Sequence, residues 1–169
     1  MDGFYVRYSC SKDVEEVSNL LLSCFGEMVI KERAFDGIPY GKYLLMFNKE
    51  NDELVAMSGL CHSNEFPGPQ MTWSCTKPEY RHKGLMKELF RRVLITTDQD
   101  VYCNCWRIGK NDFVNLHAVM DLFGFVKIDS DVISRESRTC NVKSQCPYYN
   151  SSCCCHNDTY MRKGSCNIQ

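Results

Sequence analysis

The sequence predicts a mixed α/β (α+β) fold, a mixed central sheet flanked by helices, with elements in the order β-α-β-β-β-α-β-α-β. Three observations carry that expectation. Residues 4–9, "FYVRYS", alternate Phe4, Val6 and Tyr8 against Tyr5, Arg7 and Ser9, the period of a half-buried strand. Residues 85–94 place Leu85, Leu89, Phe90, Val93 and Leu94 on one stripe, with Lys87, Glu88, Arg91 and Arg92 facing away, which is the pattern of an amphipathic helix. Between them, "KYLLMFN" and "ELVAMSGLCHS" are β-rich runs separated by the polar Lys49, Glu50, Asn51 and Asp52, a stretch suited to a hairpin turn.

The remaining elements follow from the same rules. After Ser11, acidic Asp13, Glu15 and Glu16 occupy a first turn where the helix dipole favours negative charge. Val14, Val17, Leu20, Leu21 and Cys24 then recur at helical spacing until Gly26. "MTWSCT" (71–76) predicts a strand running straight into a basic segment, "KPEYRHKGLMKELF". "VYCNCWRI" (101–108) reads as a buried strand. Phe113, Leu116, Met120 and Phe123 share one face of a helix that Gly124 stops, and "FVKIDSDVIS" returns as a strand.

With 169 residues, 44% hydrophobic and 24% charged, the chain can bury a core within the size of one ordinary domain. A formal net charge of -1 supplies no overall pull toward nucleic acid or an anionic membrane, so neither is expected as a partner. No apolar run reaches the ~18 residues of a membrane span, and "MDGFYVRYSC" lacks the pattern of a signal peptide. The reading is cytoplasmic. Six of the twelve cysteines, Cys10, Cys24, Cys61, Cys75, Cys103 and Cys105, are scattered through apolar segments as small hydrophobes, and six fall between Cys140 and Cys166. That gives a main domain over 1–135 and a cysteine-rich extension over 136–169 packed on the same domain.

Chemistry concentrates where "MTWSCT" meets the basic segment. The first N–H groups of a helix have no partner inside it, and the dipole adds about half a positive charge there, so phosphate suits the position. Gly84 allows close approach to the backbone, while Arg81 and Lys83 add charge at the rim. This makes 81–86 an anion-site candidate; a solvated basic helix start is the bland alternative.

The arrangement resembles the acetyl-CoA-binding motif of the GNAT N-acetyltransferases, R/Q-x-x-G-x-G/A after a strand and often V-x-P-x-Y-R before it. The matching residues are Thr76, Pro78, Tyr80 and Arg81-His82-Lys83-Gly84-Leu85-Met86. "NLHAVMDLFGFVKI" is similar to the family's later helix ending in Gly-Phe, and the likeness covers residues 4–134. The resemblance implies transfer of acetyl from acetyl-CoA to a primary amine by direct attack on the thioester. Ser74, Cys75 and Thr76 would line the pantetheine arm, and Arg81, His82, Lys83, Gly84, Leu85 and Met86 would wrap the pyrophosphate. Met86 departs from the pattern, standing where Gly or Ala is usual.

The resemblance also asks for a general base, an oxyanion donor and an acid. The expected acid Tyr, four residues before the Gly-Phe, is Met120 here, and residues 70–77 hold no Asp, Glu or His. His62 and Glu65 are the candidate bases, with Glu79 a weaker one; exposed turn residues are their bland reading. Tyr102 and Tyr160 read as packing, and a backbone N–H near Cys75 or Thr76 is the expected oxyanion donor. Cys75 is not read as a nucleophile, because no basic neighbour is evident in the sequence.

Partners are then a small-molecule or peptide amine, with a homodimer left open, and loops 25–42 and 62–70 together with the tail would choose the acceptor. A non-catalytic acyl-CoA-binding or metal-binding interaction module on the same fold is the alternative. Zinc is not favoured: Cys153 and Cys155 with Cys140 or Cys146 and Cys166 or His156 offer ligand types, but three adjacent cysteines cannot all face one way and no C-x2-C pair occurs.

Overall fold

The computed structural model describes residues 1–25, 41–107, 117–128 and 156–164. Its elements in chain order are β1 (Phe4–Tyr8), a 3-10 turn (Ser11–Asp13), α1 (Val14–Phe25), β2 (Tyr43–Asn48), β3 (Leu54–Cys61), β4 (Gln70–Thr76), a second 3-10 turn (Pro78–Tyr80), α2 (Leu85–Leu94), β5 (Val101–Arg107), α3 (His117–Leu122), β6 (Val126–Lys127) and β7 (His156–Arg162). The seven strands form one sheet in the order β1-β2-β3-β4-β5-β7-β6. The mixed α+β class expected from the sequence is the class observed, with one strand more at the end. The chain divides into two compact units, Met1–Cys61 with Thr72–Thr96, and His62–Met71 with Thr97–Gln169.

In the first unit β1, β2 and β3 form an antiparallel meander, with Tyr5 opposite Phe47 and Leu45 opposite Met57. The turn at 49–52 closes as its polar composition requires: Asn48 N donates to Glu53 O at 2.9 Å, Asn48 and Asn51 side chains accept from Glu50 and Glu53 N–H groups, and Asp52 takes a φ of 56°. Val17, Leu20 and Leu21 of α1 pack with Tyr43, Leu45, Phe47, Leu54, Met57 and Cys75 in one buried cluster. Leu85, Leu89, Phe90, Val93 and Leu94, the stripe read from the sequence, are all buried on α2. Burying five such side chains, at about 1.5–3 kcal/mol each, is what holds that short helix, since ten residues are marginal alone.

In the second unit the parallel pairing of β4 with β5 joins Gln70 to Tyr102 and Met71 to Cys103. β7 lies between β5 and β6, antiparallel to both, from Val101 opposite Arg162 to Arg107 opposite His156. It comes from the segment read as a cysteine-rich extension. Polar pairing buries it: Thr159 Oγ1 donates to Asn104 Oδ1 at 2.8 Å, Asp158 pairs with Lys127 at 2.7 Å, and Arg162, 2% exposed, donates from Nε to the Phe123 carbonyl at 3.1 Å. Just beyond β7, only a glycine can stand at 164, because a Cβ there would lie 1.8 Å from Asp98 O. Among the described residues no helix is long and apolar enough to cross a membrane. The residues weighed as zinc ligands, Cys140, Cys146, Cys153, Cys155 and Cys166, lie outside the described residues, as does the side chain of His156; residues 26–40, 108–116, 129–155 and 165–169 do as well.

Asp13 anchors the entry into α1. It is 3% exposed, accepts both guanidinium nitrogens of Arg7 at 2.7 and 2.6 Å, and takes the Cys10 N–H at 2.7 Å. Arg7 and that backbone bond hold its carboxyl down at about 2. A depressed carboxylate stabilises the fold above its unfolded pKa of about 4, and the contribution disappears as pH falls through about 2. Because Arg7 is 40% exposed and partly screened, Asp13→Asn should cost about 1–2 kcal/mol at pH 7 and little near pH 2, read by urea unfolding at both pH values.

Candidate functional site

The basic loop is built outward from Glu53, the residue just before β3. Its carboxylate accepts from Lys77 Nζ at 2.5 Å and from Tyr80 Oη at 2.8 Å, and those two donors, Lys77 first, hold it below the ordinary carboxylate range. Lys77 N also donates to Val55 O at 2.9 Å. Pro78 then starts a 3-10 turn closed by Tyr80 N to Lys77 O and Arg81 N to Pro78 O, at 2.9 and 3.2 Å. Tyr80 is wedged edge-on against Phe4 and takes a hydrogen bond from Asn48. Its position, and hence that of the loop behind it, is fixed from four sides.

From Arg81 to Gly84 the backbone alternates in hand. His82 has φ 62° and Gly84 has φ 77°, whereas Arg81 and Lys83 stay at negative φ. Such alternation turns successive N–H groups toward one side and makes a concavity suited to an anion. Gly84 is the N-cap of α2 and has no side-chain cap. Across that cap Glu88 N donates to Gly84 O at 3.2 Å, leaving the Leu85, Met86 and Lys87 N–H groups without intrahelical acceptors. A Cβ on Gly84 would meet nothing within 4 Å, so the space above this helix start is open. The residues therefore fit a pyrophosphate group.

The charges at the rim are less free than the sequence implied. Arg81 Nε donates to Thr76 O at 3.2 Å, tying the guanidinium back to the end of β4, and Lys83 Nζ lies 4.7 Å from the centre of the Tyr80 ring. His82 and Lys83 are exposed, Leu85 is buried in the core, and Met86 is half-buried. Of the strand residues, Ser74 shares a 2.8 Å hydrogen bond with fully buried Ser58, Cys75 is buried in the first unit's core, and Thr76 gives its carbonyl to Arg81 and to the Cys24 thiol.

Trp73, in the middle of β4, sits at φ 51°. A bulky residue in the left-handed region costs about 1–2 kcal/mol and breaks the two-residue alternation of a strand. Met71 and Cys75 are buried as alternation requires, but Thr72, Trp73 and Ser74 are all half-buried. Thr72 Oγ1 is buried with no hydrogen-bond partner among the described residues. Nothing in the residues around it marks this kink, because a Trp in a β-rich run reads as ordinary strand.

Two of the candidate bases, His62 and Glu65, lie in the second unit. His62 and Glu65 are both exposed on the segment after β3. Glu79, in the 3-10 turn, is exposed too. Met120 is fully buried, and Tyr102 and Tyr160 are 6% and 4% exposed, Tyr102 stacked on Phe66, so both tyrosines are packing residues.

No protein-family model and no curated protein matches the sequence. Solved structures do. A GNAT-family acetyltransferase from Staphylococcus aureus Mu50 aligns over 98% of this chain and 99% of its own, at 17% identity and a TM-score of 0.63. The ribosomal-protein-S18-alanine N-acetyltransferase of Escherichia coli aligns over 97% and 96%, at 10% identity and a TM-score of 0.62. The N-acetylglutamate synthase of Neisseria gonorrhoeae, solved with coenzyme A and N-acetyl-glutamate, aligns over 94% of this chain at 10% identity and a TM-score of 0.59, and the chain spans 34% of that protein. At these identities it is the architecture that is shared, and this chain has the fold of the GNAT acetyltransferases.

Proposed function

We propose that this protein is an acetyl-CoA-dependent N-acetyltransferase acting on a primary amine. The observation that carries the reading is the loop at 81–86, where alternating backbone hand, an open helix start and a left-handed Gly84 coincide with the motif of that fold. Support comes from the Neisseria synthase, whose structure contains coenzyme A, and from the Escherichia coli enzyme, which acts on an alanine amine. Acetyl-CoA supplies the acyl group as a thioester; the product is an amide, and CoA leaves as the thiol.

The chain's own residues divide the work as follows. Backbone N–H groups of Leu85, Met86 and Lys87, with those of the 81–84 turn, hold the pyrophosphate, and Arg81 and Lys83 add charge around it. Ser74, Cys75 and Thr76 carry the strand along which the pantetheine arm lies. The kink at Trp73 re-aims backbone groups of β4, and a donor there stabilises developing negative charge on the carbonyl oxygen, a role worth ~100- to 1000-fold in rate. His62 or Glu65 takes the proton from the amine; with Met120 in the acid's usual place, no side chain is assigned to protonate the departing thiolate. That buried methionine is also what favours the second reading, a module that binds acyl-CoA without turning it over.

Acetyl-CoA at 100 times its Kd should stabilise the protein by about 2.7 kcal/mol, a rise of ~5–10 °C in Tm. Gly84→Asp should abolish the rise by setting a carboxylate against the pyrophosphate. Gly84→Ala, which strains the backbone by about 1–2 kcal/mol but adds no charge, should start from a lower Tm and keep the rise. No shift in the unsubstituted protein at millimolar acetyl-CoA overturns the reading.

Thiol release across a panel of amines separates the two readings, since the non-catalytic module gives binding without release. With a working acceptor in hand, one of His62→Ala and Glu65→Gln should lower kcat ~100-fold or more while the other leaves it near its starting value.

A further inference from the structure

Ser58 is the one polar side chain in the run from Leu54 to Leu60, and it is fully buried. Leu45 and Met57 belong to the cluster under α1, so the neighbouring pair of Leu44 and Ser58 turns to the other face of the sheet, the one that α2 covers. A hydroxyl in such a place is costly unless it is bonded, and alanine would fill the position without that requirement. Among the described residues the side chain of Ser58 makes one hydrogen bond, from its Oγ to the Oγ of Ser74 on β4, at 2.8 Å. Both serines belong to the first unit.

The direction of that bond follows from burial. A hydroxyl has one hydrogen to give and two lone pairs to accept with, so only one of the two oxygens donates. If Ser74 donated, the Ser58 hydrogen would sit in the core with no acceptor and carry the full cost of a buried unmet donor. Ser58 therefore donates. Ser74 Oγ accepts, and its own hydrogen is left for a partner outside the pair. Ser74 is half-buried, so that hydrogen is within reach of a ligand lying on β4. It stands next to the kink at Trp73 and two residues before the Thr76 carbonyl that holds Arg81.

We propose that Ser58 is a positioning residue, which sets the Ser74 hydroxyl as a hydrogen-bond donor to a carbonyl oxygen on the pantetheine arm of acyl-CoA. This rests on the reading of β4 as the strand along which that arm lies. The arm suits the donor, because its amides and its thioester offer carbonyl acceptors along an extended chain. A hydroxyl directed before the ligand arrives also spares part of the ordering cost of binding. Ser58 itself touches no ligand and acts only through Ser74.

The test uses the full chain and begins without ligand. In NMR spectra a slowly exchanging hydroxyl proton should correlate with the Cβ of Ser58; a slow proton on Ser74 in its place overturns the proposal. Ser74→Ala strands the buried hydroxyl and should lower Tm by ~3–10 °C, most of which the double substitution Ser58→Ala with Ser74→Ala should recover. An unchanged Tm in Ser74→Ala means that Ser58 bonds elsewhere and also overturns it. Binding is then read by calorimetry with acetyl-CoA and with the nucleotide half of CoA, which stops at the pyrophosphate. Ser74→Ala should weaken acetyl-CoA ~3- to 10-fold and leave the nucleotide half unchanged, and Ser58→Ala, which frees the Ser74 hydroxyl to turn, should weaken acetyl-CoA ~2- to 3-fold. Ser74→Thr, which keeps a hydroxyl, should restore the affinity. Acetyl-CoA affinity unmoved by Ser74→Ala, or an equal loss for both ligands, overturns this inference and leaves the acyl-CoA reading standing. Failure of the unsubstituted chain to bind acetyl-CoA overturns that reading and this inference with it.

Discussion

The candidate site depends on one carboxylate. Glu53 stands at the junction of the hairpin turn and β3, and by accepting from both Lys77 and Tyr80 it ties that hairpin to the turn that launches α2. Each partner is held a second time, Lys77 through its backbone at Val55 and Tyr80 through Phe4 and Asn48. A loop with two left-handed residues in three would relax into other shapes unless its entry were over-determined. The anchor lets His82, a residue with a side chain, keep a positive φ, and it leaves Gly84 facing open space.

Much of the first unit was legible in the sequence because its signals are local. The alternation in residues 4–8, the polar turn at 49–52 and the stripe from Leu85 to Leu94 each span only a few neighbouring residues; the stripe is buried on α2 as read, whereas β1 is half-buried on both faces with Tyr8 exposed. The turn and helix start at 78–85 were legible for the same reason: their geometry is set by Pro78, Gly84 and the strand directly before them. What was not legible lies in pairings across the chain. Nothing near residue 73 announces a strand interrupted at a tryptophan, and nothing near residue 24 announces that α1 ends against the Thr76 carbonyl, a contact between positions about fifty residues apart.

β7 shows a different failure of sequence reasoning. The segment from 136 onward holds too few aliphatic residues to look like core, and for that reason it reads as an extension. Yet Asp158, Thr159 and Arg162 are buried, each meeting a partner from another element, Lys127, Asn104 and the Phe123 carbonyl. Burying polar groups costs several kcal/mol when they are unpaired and little when they are paired, so a polar strand can occupy the inside of a sheet if its neighbours supply donors and acceptors. Hydrophobic patterning cannot see those partners.

The place of β7 between β5 and β6 has a consequence for how the second unit forms. β5 and β6 meet through a strand that arrives late in the chain, and the pairing of Val101 with Arg162 closes a loop of ~60 residues, whereas the β2–β3 hairpin closes across four. Non-local pairing of that kind is slow, because the entropy of closure must be met before any ladder bond is made. Until it happens, one side of β5 is an open edge beside the buried cysteines Cys103 and Cys105, a template for pairing with a neighbouring chain. The time this unit spends waiting for its inner strand is thus an interval in which that edge stands open to a neighbouring chain.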